Sequence, residues 1–447
     1  MNTPICDFAR RYVESRALRL HVPGHKGCAM LGPEPYDLTE IAGADSLYEA
    51  EGIIRQSEEN AGALFGCETF YSAEGSSLCI RAMLYLTALY ARQTGRRPLI
   101  AAGRNAHKTF VSAAALLDLP VRWLYDTESY LSCRPEAQAL DAFLSEAPEK
   151  PVAVYLTSPD YLGGMADVEG LARVCHRHGA LLLVDGAHGA YLRFLPESRH
   201  PMDLGADLCC ASAHKTLPVL TGGAYLHLSS RLPELFFRQA RNALAMFGST
   251  SPSYLILQSL DRVNAYLDGG YRQRLAAFLP RVEALRERLT AAGYALRGDE
   301  PLKLTIAPKS RGYTGRQLSA LLLEKGIVCE FADPDCVVMM LTPEIGSDGL
   351  GRLEEGLLAI PSKDAILEKP PVFSPGQQVL SIREAMLSPS RVIPAGESAG
   401  WVLAAASVGC PPAVPIVVCG ERIDDAAVAG FAYYGVETCT VVEGNSE

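Results

Sequence analysis

The residues ALLLVDGAHGA, numbered 180–190, and LCCASAHKT, numbered 208–216, decide how this chain is read. Each opens with an unbroken apolar run of strand length. Each then turns abruptly polar, at Asp185 and His188 in the first and at Ser212, His214, Lys215 and Thr216 in the second. Continuous apolar runs suit strands covered on both faces, as in a parallel sheet between helices. Outward from these two, the same grammar repeats. Strands are expected at Thr69–Ser72, Pro98–Ala102, Val121–Leu124, Val152–Leu156, Ala180–Val184, Leu208–Ala211 and Gly223–Leu228. Helical patterns lie between most of them, as at Ser76–Ala91, Arg134–Leu144 and Val168–His178. The alternation predicts an α/β fold with a mostly parallel sheet and helices on both faces.

Residues 1–50, rich in Gly and Pro around HVPGHKG (21–27), read as an N-terminal arm or loop segment. Residues 51–265 form the large domain. Residues 266–367 read as a smaller α+β domain, after a helical stretch over 252–293. Its expected strands are Lys303–Ile306, Ile327–Phe331 and Val337–Leu341, and its helix is Gly315–Lys325. The proline-rich Glu368–Pro375 leads into a compact C-terminal domain, 368–447.

Composition narrows the function. The 447 residues are 48% hydrophobic and 21% charged, which fits a folded globular chain rather than a disordered one. The net charge of −10 and the lack of a basic block argue against a nucleic-acid surface, and mildly favour a cationic ligand. Met1–Val13 has no apolar signal core. The apolar stretch Trp401–Cys419 is broken by Gly409, Pro411, Pro412 and Pro415, so no membrane span is expected. The 13 cysteines are odd in number and form no CxxC pair. They read as buried free thiols in a reducing cytoplasm. His21 and His25 are four apart, but Pro23 and Gly24 deny them a shared helical face, so no metal site is expected.

The polar clusters each follow a predicted strand: Glu74–Ser77, Arg104–Lys108, Ser158–Tyr161, Asp185–His188 and Ser212–Thr216. Open parallel sheets bind ligands at the carboxyl ends of their strands, so these clusters predict one site. Gly75, Ser76 and Ser77 open a helix, where backbone N–H groups and the helix dipole favour a phosphate. Taken alone they also suit an ordinary serine N-cap. Asp185 ends an apolar strand and needs a partner at that depth. A protonated pyridine nitrogen would serve; a turn aspartate is the plainer alternative. Lys215, flanked by hydroxyls after an apolar strand, suits a Schiff-base lysine. The alternative is an exposed loop lysine, with Lys108 the second candidate amine. His107 and His188 could stack on an aromatic cofactor or relay a proton, and His214 could donate to phosphate. Each could equally be a structural histidine.

In this order, the segments resemble the Orn/Lys/Arg decarboxylase family, pyridoxal 5′-phosphate (PLP) enzymes of the aspartate-aminotransferase fold type I. The matching segments include His21–Gly27, Gly62–Ser77, Asn105–Lys108, Ser158–Asp167, Val184–Gly189, Ser212–Thr216, GSTSPSYLILQSL (248–260) and CPPAVPIVVCGERI (410–423). The chain is most similar to the short biosynthetic-type members. The resemblance implies that Lys215 carries PLP as a Schiff base and that Asp185 pairs with the pyridine nitrogen. It places His107 on the ring and His188 near the Schiff base. Gly75, Ser76, Ser77, Ser212 and His214 would hold the phosphate, with Thr250, Ser251 and Pro252 near the cofactor. It further implies decarboxylation of arginine, lysine or ornithine by a homodimer or dimer-based assembly. Another fold-type I reaction, or a silent relative, is the rival reading. Gly186, the Thr221-Gly222-Gly223 stretch and Gly-Ser-Ser in place of Gly-Thr-Ser depart from the family pattern.

Overall fold

A computed structural model of the chain describes residues 1–125, 133–372, 376–408 and 414–444. The apolar runs form strands β1 (Glu68–Ser72), β2 (Ile100–Gly103), β3 (Val121–Leu124), β4 (Ala153–Thr157), β5 (Leu181–Asp185), β6 (Leu208–Ala211) and β7 (Ala224–Leu228). They make a seven-stranded sheet in the order β1-β7-β6-β5-β4-β2-β3. The pairs β5–β6 and β2–β3 are parallel. β7 runs antiparallel to both β1 and β6, so the sheet is mostly parallel, with a reversed strand near one edge. Leu182, Leu183, Val184, Leu208, Cys209 and Cys210 have no exposed surface. Full burial of a leucine side chain is worth about 1.5–3 kcal/mol, so these runs are held from both faces.

The chain divides into two compact units: Met1–Pro98, Val152–Val154 and Val168–Leu275 make the first, and Leu99–Pro151, Tyr155–Asp167 and Ala276–Glu447 the second. In the first unit the N-terminal segment is more than an arm. Helix α1 (Pro4–Glu14) places Pro4 in its first turn, where the missing N–H costs nothing, and buries Ile5 and Ala9 completely. Its Cys6 N–H donates to Asp261 on the helix Tyr254–Asp268, at 2.9 Å. Helix α2 (Ile53–Phe65) stops at Gly66, whose φ of +73° is the left-handed cap that favours glycine. Helix α3 (Gly75–Gln93) follows β1 directly.

In the second unit, helix α4 (Lys108–Leu117) follows β2. Strands β8 (Ala295–Arg297), β9 (Lys303–Ala307), β10 (Phe331–Ala332) and β11 (Val337–Met340) form a sheet in the order β10-β11-β9-β8. The strand expected over Ile327–Phe331 shrinks to β10. Gly326 and Ile327 close the preceding helix, Val328 is 81% exposed, and the first bond to β11 is the Glu330 N–H to Val338 O at 3.0 Å, so the ladder begins only at the end of that stretch. Towards the C-terminus, β12 (Ser390–Pro394) pairs with β15 (Thr438–Val442), and β13 (Ser407–Val408) with β14 (Val417–Val418). Leu403, Ile416, Val417, Phe431 and Val441 give this region its own core. Asp335 accepts from the hydroxyls of Tyr433 (2.7 Å) and Tyr434 (3.0 Å) and faces Lys309 at 2.8 Å, tying the helix Asp425–Tyr434 to the smaller sheet.

Part of the proline-rich linker and Cys410, Pro411 and Pro412 lie outside the described residues. The described cysteines are free thiols and mostly buried, but Cys28, expected inside, is exposed. Among the described residues no helix is long and apolar enough to cross a membrane.

Candidate active site

The register of the sheet builds the centre of the site. β5 and β6 are parallel neighbours with Asp185 opposite Cys210, so the polar residues after both strands leave the sheet at the same edge. After β6 the chain makes a single helical turn, Ala213–Thr216. This turn carries Lys215 back towards β5, and its Nζ lies 3.1 Å from His188 Nε2. An ammonium there donates to the imidazole lone pair and leaves the proton of a neutral His188 on Nδ1. No carboxylate pairs with Lys215 among the described residues, so its amine is not locked in an ion pair.

Asp185 is 2% exposed. Its Oδ1 accepts from the Ala187 N–H at 3.1 Å and from the Cys210 thiol at 3.5 Å. Burial, then the Asp185 charge, pushes the Cys210 thiol well above its usual range, so it stays a donor. Sequence reasoning missed Cys210. The signal was there, since two parallel strands ending together place the last apolar residue of one beside the carboxylate of the other.

The residues expected to hold a phosphate stand at the head of α3. Gly75 adopts φ +70°, its N–H donates to Gly222 O at 2.7 Å, and a Cβ there would meet only His214 Cε1, at 3.9 Å. The preceding residue, Glu74, offers α3 no side-chain cap. Ser76 is instead linked across the sheet edge, accepting from the Ser212 hydroxyl at 2.9 Å. Glu74 reaches the other way, its Oε1 accepting from the Ser249 N–H at 2.6 Å. That bond brings the exposed Thr250 and Ser251 loop to the residue beside Gly75.

His214 is less simple than its neighbours. Its Nδ1 donates to the Gly223 carbonyl at 2.9 Å, and a carbonyl can only accept, so Nδ1 carries the proton. Nε2 of the neutral ring is then a lone pair, and it offers a phosphate a donor only as imidazolium. Burial first, with Lys215 beside it, pushes the opposite way and lowers its pKa.

His107 belongs to the second unit and is exposed at the N-cap of α4. Its Nδ1 accepts from the Thr109 N–H at 3.2 Å and lies 2.9 Å from the Thr109 hydroxyl, which leaves the proton of the neutral ring on Nε2. The structure thus brings together Lys215, His188, Asp185, Gly75, Ser76, Ser212 and His214 in the first unit, with Ser77 in the first turn of α3.

These residues suit PLP. They supply a primary amine, a carboxylate at a strand end and a helix N-terminus with two hydroxyls. Thr216 adds a buried Oγ1 with no hydrogen-bond partner among the described residues, a group that a bound ligand would satisfy. No group of three or more His, Cys, Asp or Glu among the described residues could hold a metal ion.

Comparison with known proteins agrees. The family profile described as Orn/Lys/Arg decarboxylase, major domain, matches residues 3–299. The protein YaaO of Bacillus subtilis is 30% identical over 100% of this chain and 96% of its own length. An arginine decarboxylase of Bacillus subtilis is 28% identical over 99% of this chain and 95% of its own. Among solved structures, the constitutive lysine decarboxylase of E. coli superposes with a TM-score of 0.76 at 16% identity, covering 99% of this chain and 82% of that one.

Proposed function

The chain belongs to the Orn/Lys/Arg decarboxylase family and is a PLP-dependent carboxy-lyase, and from that premise we propose that it decarboxylates arginine through the residues gathered at Lys215. The observation that carries the site is the 3.1 Å approach of Lys215 Nζ to His188 Nε2, beside the strand that ends in Asp185. Curated relatives named arginine decarboxylase, from Bacillus subtilis and Halalkalibacterium halodurans among others, support arginine over lysine or ornithine.

Bound PLP supplies an electron sink for the pair left behind when the carboxylate departs. The chain's own residues would do the rest. Lys215 would hold the cofactor covalently through Nζ. Asp185, buried and accepting two hydrogen bonds, would pair with the pyridine nitrogen. Gly75, Ser76, Ser77 and Ser212 would hold the phosphate with backbone and hydroxyl donors, and His214 would contribute when protonated. Thr250 and Ser251 would border this end of the cofactor. His188 would take up or return the Lys215 proton. Orientation and fixed charge are the protein's share of the rate.

We also read the enzyme as a homodimer. Leu18, Leu20, Met30 and Leu31 are each more than 80% exposed, an apolar surface that a second copy would cover. Sedimentation at micromolar concentration should give a dimer mass; a monomer would end that reading.

The deciding assay supplies PLP with arginine, lysine or ornithine separately, and identifies the products by mass. Agmatine with CO₂ from arginine is the expected result. Cadaverine or putrescine alone moves the substrate to lysine or ornithine. A keto acid without CO₂ points to transamination and removes decarboxylation.

A further inference from the structure

The turns that follow β2 and β1 are held in opposite ways. After β2, within the second unit, the grip comes from far along the chain. Arg104 and Glu421, with side chains 3% and 1% exposed, pair bidentately at 2.8 and 2.6 Å. After β1, within the first unit, the grip comes from inside the turn. Ser72 is the last residue of β1 and has no exposed surface. Its hydroxyl donates to the Gly75 carbonyl at 2.9 Å and accepts from the Glu74 N–H at 3.1 Å. One buried oxygen thus clamps the passage from the strand into α3.

Each peptide group of this passage is fixed. The Ala73–Glu74 group gives its N–H to Ser72, and a Cβ on Gly222 would come within 2.8 Å of its carbonyl oxygen. The Glu74–Gly75 group gives its N–H to Gly222 O at 2.7 Å. The Gly75–Ser76 group is held by its carbonyl, which takes the Ser72 hydroxyl and, at 3.8 Å, the Cys79 thiol. Burial pushes that thiol up to about 12, so it stays a donor. The Gly75–Ser76 peptide is trans and planar, so its N–H points opposite to its carbonyl. Pulling the carbonyl towards Ser72 therefore sets the direction of the Ser76 N–H. That N–H belongs to the first turn of α3, where the helix supplies no partner and Glu74 no side-chain cap.

We propose that Ser72 is a positioning residue for the cofactor phosphate: it holds the Gly75–Ser76 peptide from behind, so that the Ser76 N–H faces the anion before the anion arrives. The inference rests on the reading of Gly75, Ser76 and Ser77 as phosphate contacts. All of the residues that carry it lie within the first unit. An N–H already held in place donates to a charged oxygen without the ordering cost that a loose turn would add.

The test titrates the full-length apoprotein with PLP and, separately, with pyridoxal, which lacks the phosphate. Visible absorbance reads attachment to the lysine in both cases, and the melting temperature is taken alongside. Ser72→Ala should bind PLP about tenfold more weakly, the scale of one hydrogen bond to a charged group, and pyridoxal within about twofold of the parent. A serine that only supported the fold would weaken both ligands alike. Parental PLP affinity in Ser72→Ala, or equal losses for the two ligands, overturns the proposal. Gly75→Ala is the control for the reading beneath it. If that variant does not favour pyridoxal over PLP relative to the parent, the phosphate reading of this turn fails and the inference with it. If Gly75→Ala discriminates and Ser72→Ala does not, the inference alone fails. Should Ser72→Ala not fold, Ser72→Cys, a weaker donor at the same place, is measured with the same two ligands. A loss confined to PLP supports the proposal, and equal losses or none overturn it.

Discussion

Two pairs of histidines in the first unit serve opposite ends, His188, His200 and His227 buried and His214 half-buried. His188 and His214 stand at the carboxyl edge of the sheet, each with a ring nitrogen against a named polar partner, the Lys215 amine or the Gly223 carbonyl. His200 and His227 lie in an aromatic core, with ring centroids 5.2 Å apart and both packed on Phe65. Each keeps an Nε2 with no hydrogen-bond partner among the described residues. Burial lowers the pKa of His200 to about 4 and that of His227 well below the ordinary value. Burial alone makes a histidine neutral and inert. Contact with a nucleophile is what gives it chemistry, and the pairs should separate cleanly when substituted.

The largest effect belongs to the amine that His188 serves. Lys215→Ala should lose turnover by about four orders of magnitude or more, together with the visible absorbance of covalently held cofactor. Retention of both would move the chemistry to another lysine. Asp185→Asn keeps the shape and removes the charge. It should cost about two to three orders of magnitude in kcat, with far-UV circular dichroism unchanged. His188→Ala should lower kcat by about ten- to a hundredfold and shift the pH–rate profile; an unaltered profile would make His188 as passive as His200.

Gly75→Ala probes the cradle. The site has room for a methyl group, but φ +70° disfavours alanine by about 1 kcal/mol, so PLP affinity should fall about fivefold with kcat at saturating PLP nearly intact. The smallest catalytic effect is expected at His200→Leu, within about twofold of the parent, although its stability should respond to pH. The folded state depresses the His200 pKa, so the unfolded chain binds the extra proton as pH falls from about 6.5 to about 4. Stability is complete above that window and is lost on the way down, by about 3 kcal/mol for this group. Urea melts across that range should show a shallower acid limb in the variant. An unchanged limb would remove the distinction between the two pairs.

How much of this was legible follows from what periodicity carries. Apolar runs locate strands to within a residue or two, and the polar residues after them locate the edge. They do not carry direction, so the reversal of β7 between β1 and β6 was invisible. Helix α1 was readable in principle, since Ile5, Phe8, Ala9 and Tyr12 recur at helical spacing. The Gly/Pro run behind it drew the reading towards a loop. Conversely, Ile327–Phe331 has strand composition, but its pairing with β11 begins only at the Glu330 N–H to Val338 O bond and the Phe331–Val338 pair. Residue types suggested Lys215, Asp185 and Gly75. The bonds between them, Ser212 to Ser76 and Cys210 to Asp185, depend on register. Which nitrogen of His214 holds a proton depends on a carbonyl nine residues away.

The buried salt bridge between Arg104 and Glu421, with the Gly376 backbone packed against its carboxylate, joins residues 317 positions apart. During synthesis at about 5–20 residues per second, Arg104 therefore leaves the ribosome roughly 15–60 s before its counter-ion exists. Throughout that interval its guanidinium must stay hydrated, because an unpaired buried charge is strongly disfavoured. The nascent segment bearing it thus cannot reach its final burial until Glu421 has been made, and a truncation before Glu421 would leave that segment permanently open to proteases and holdases.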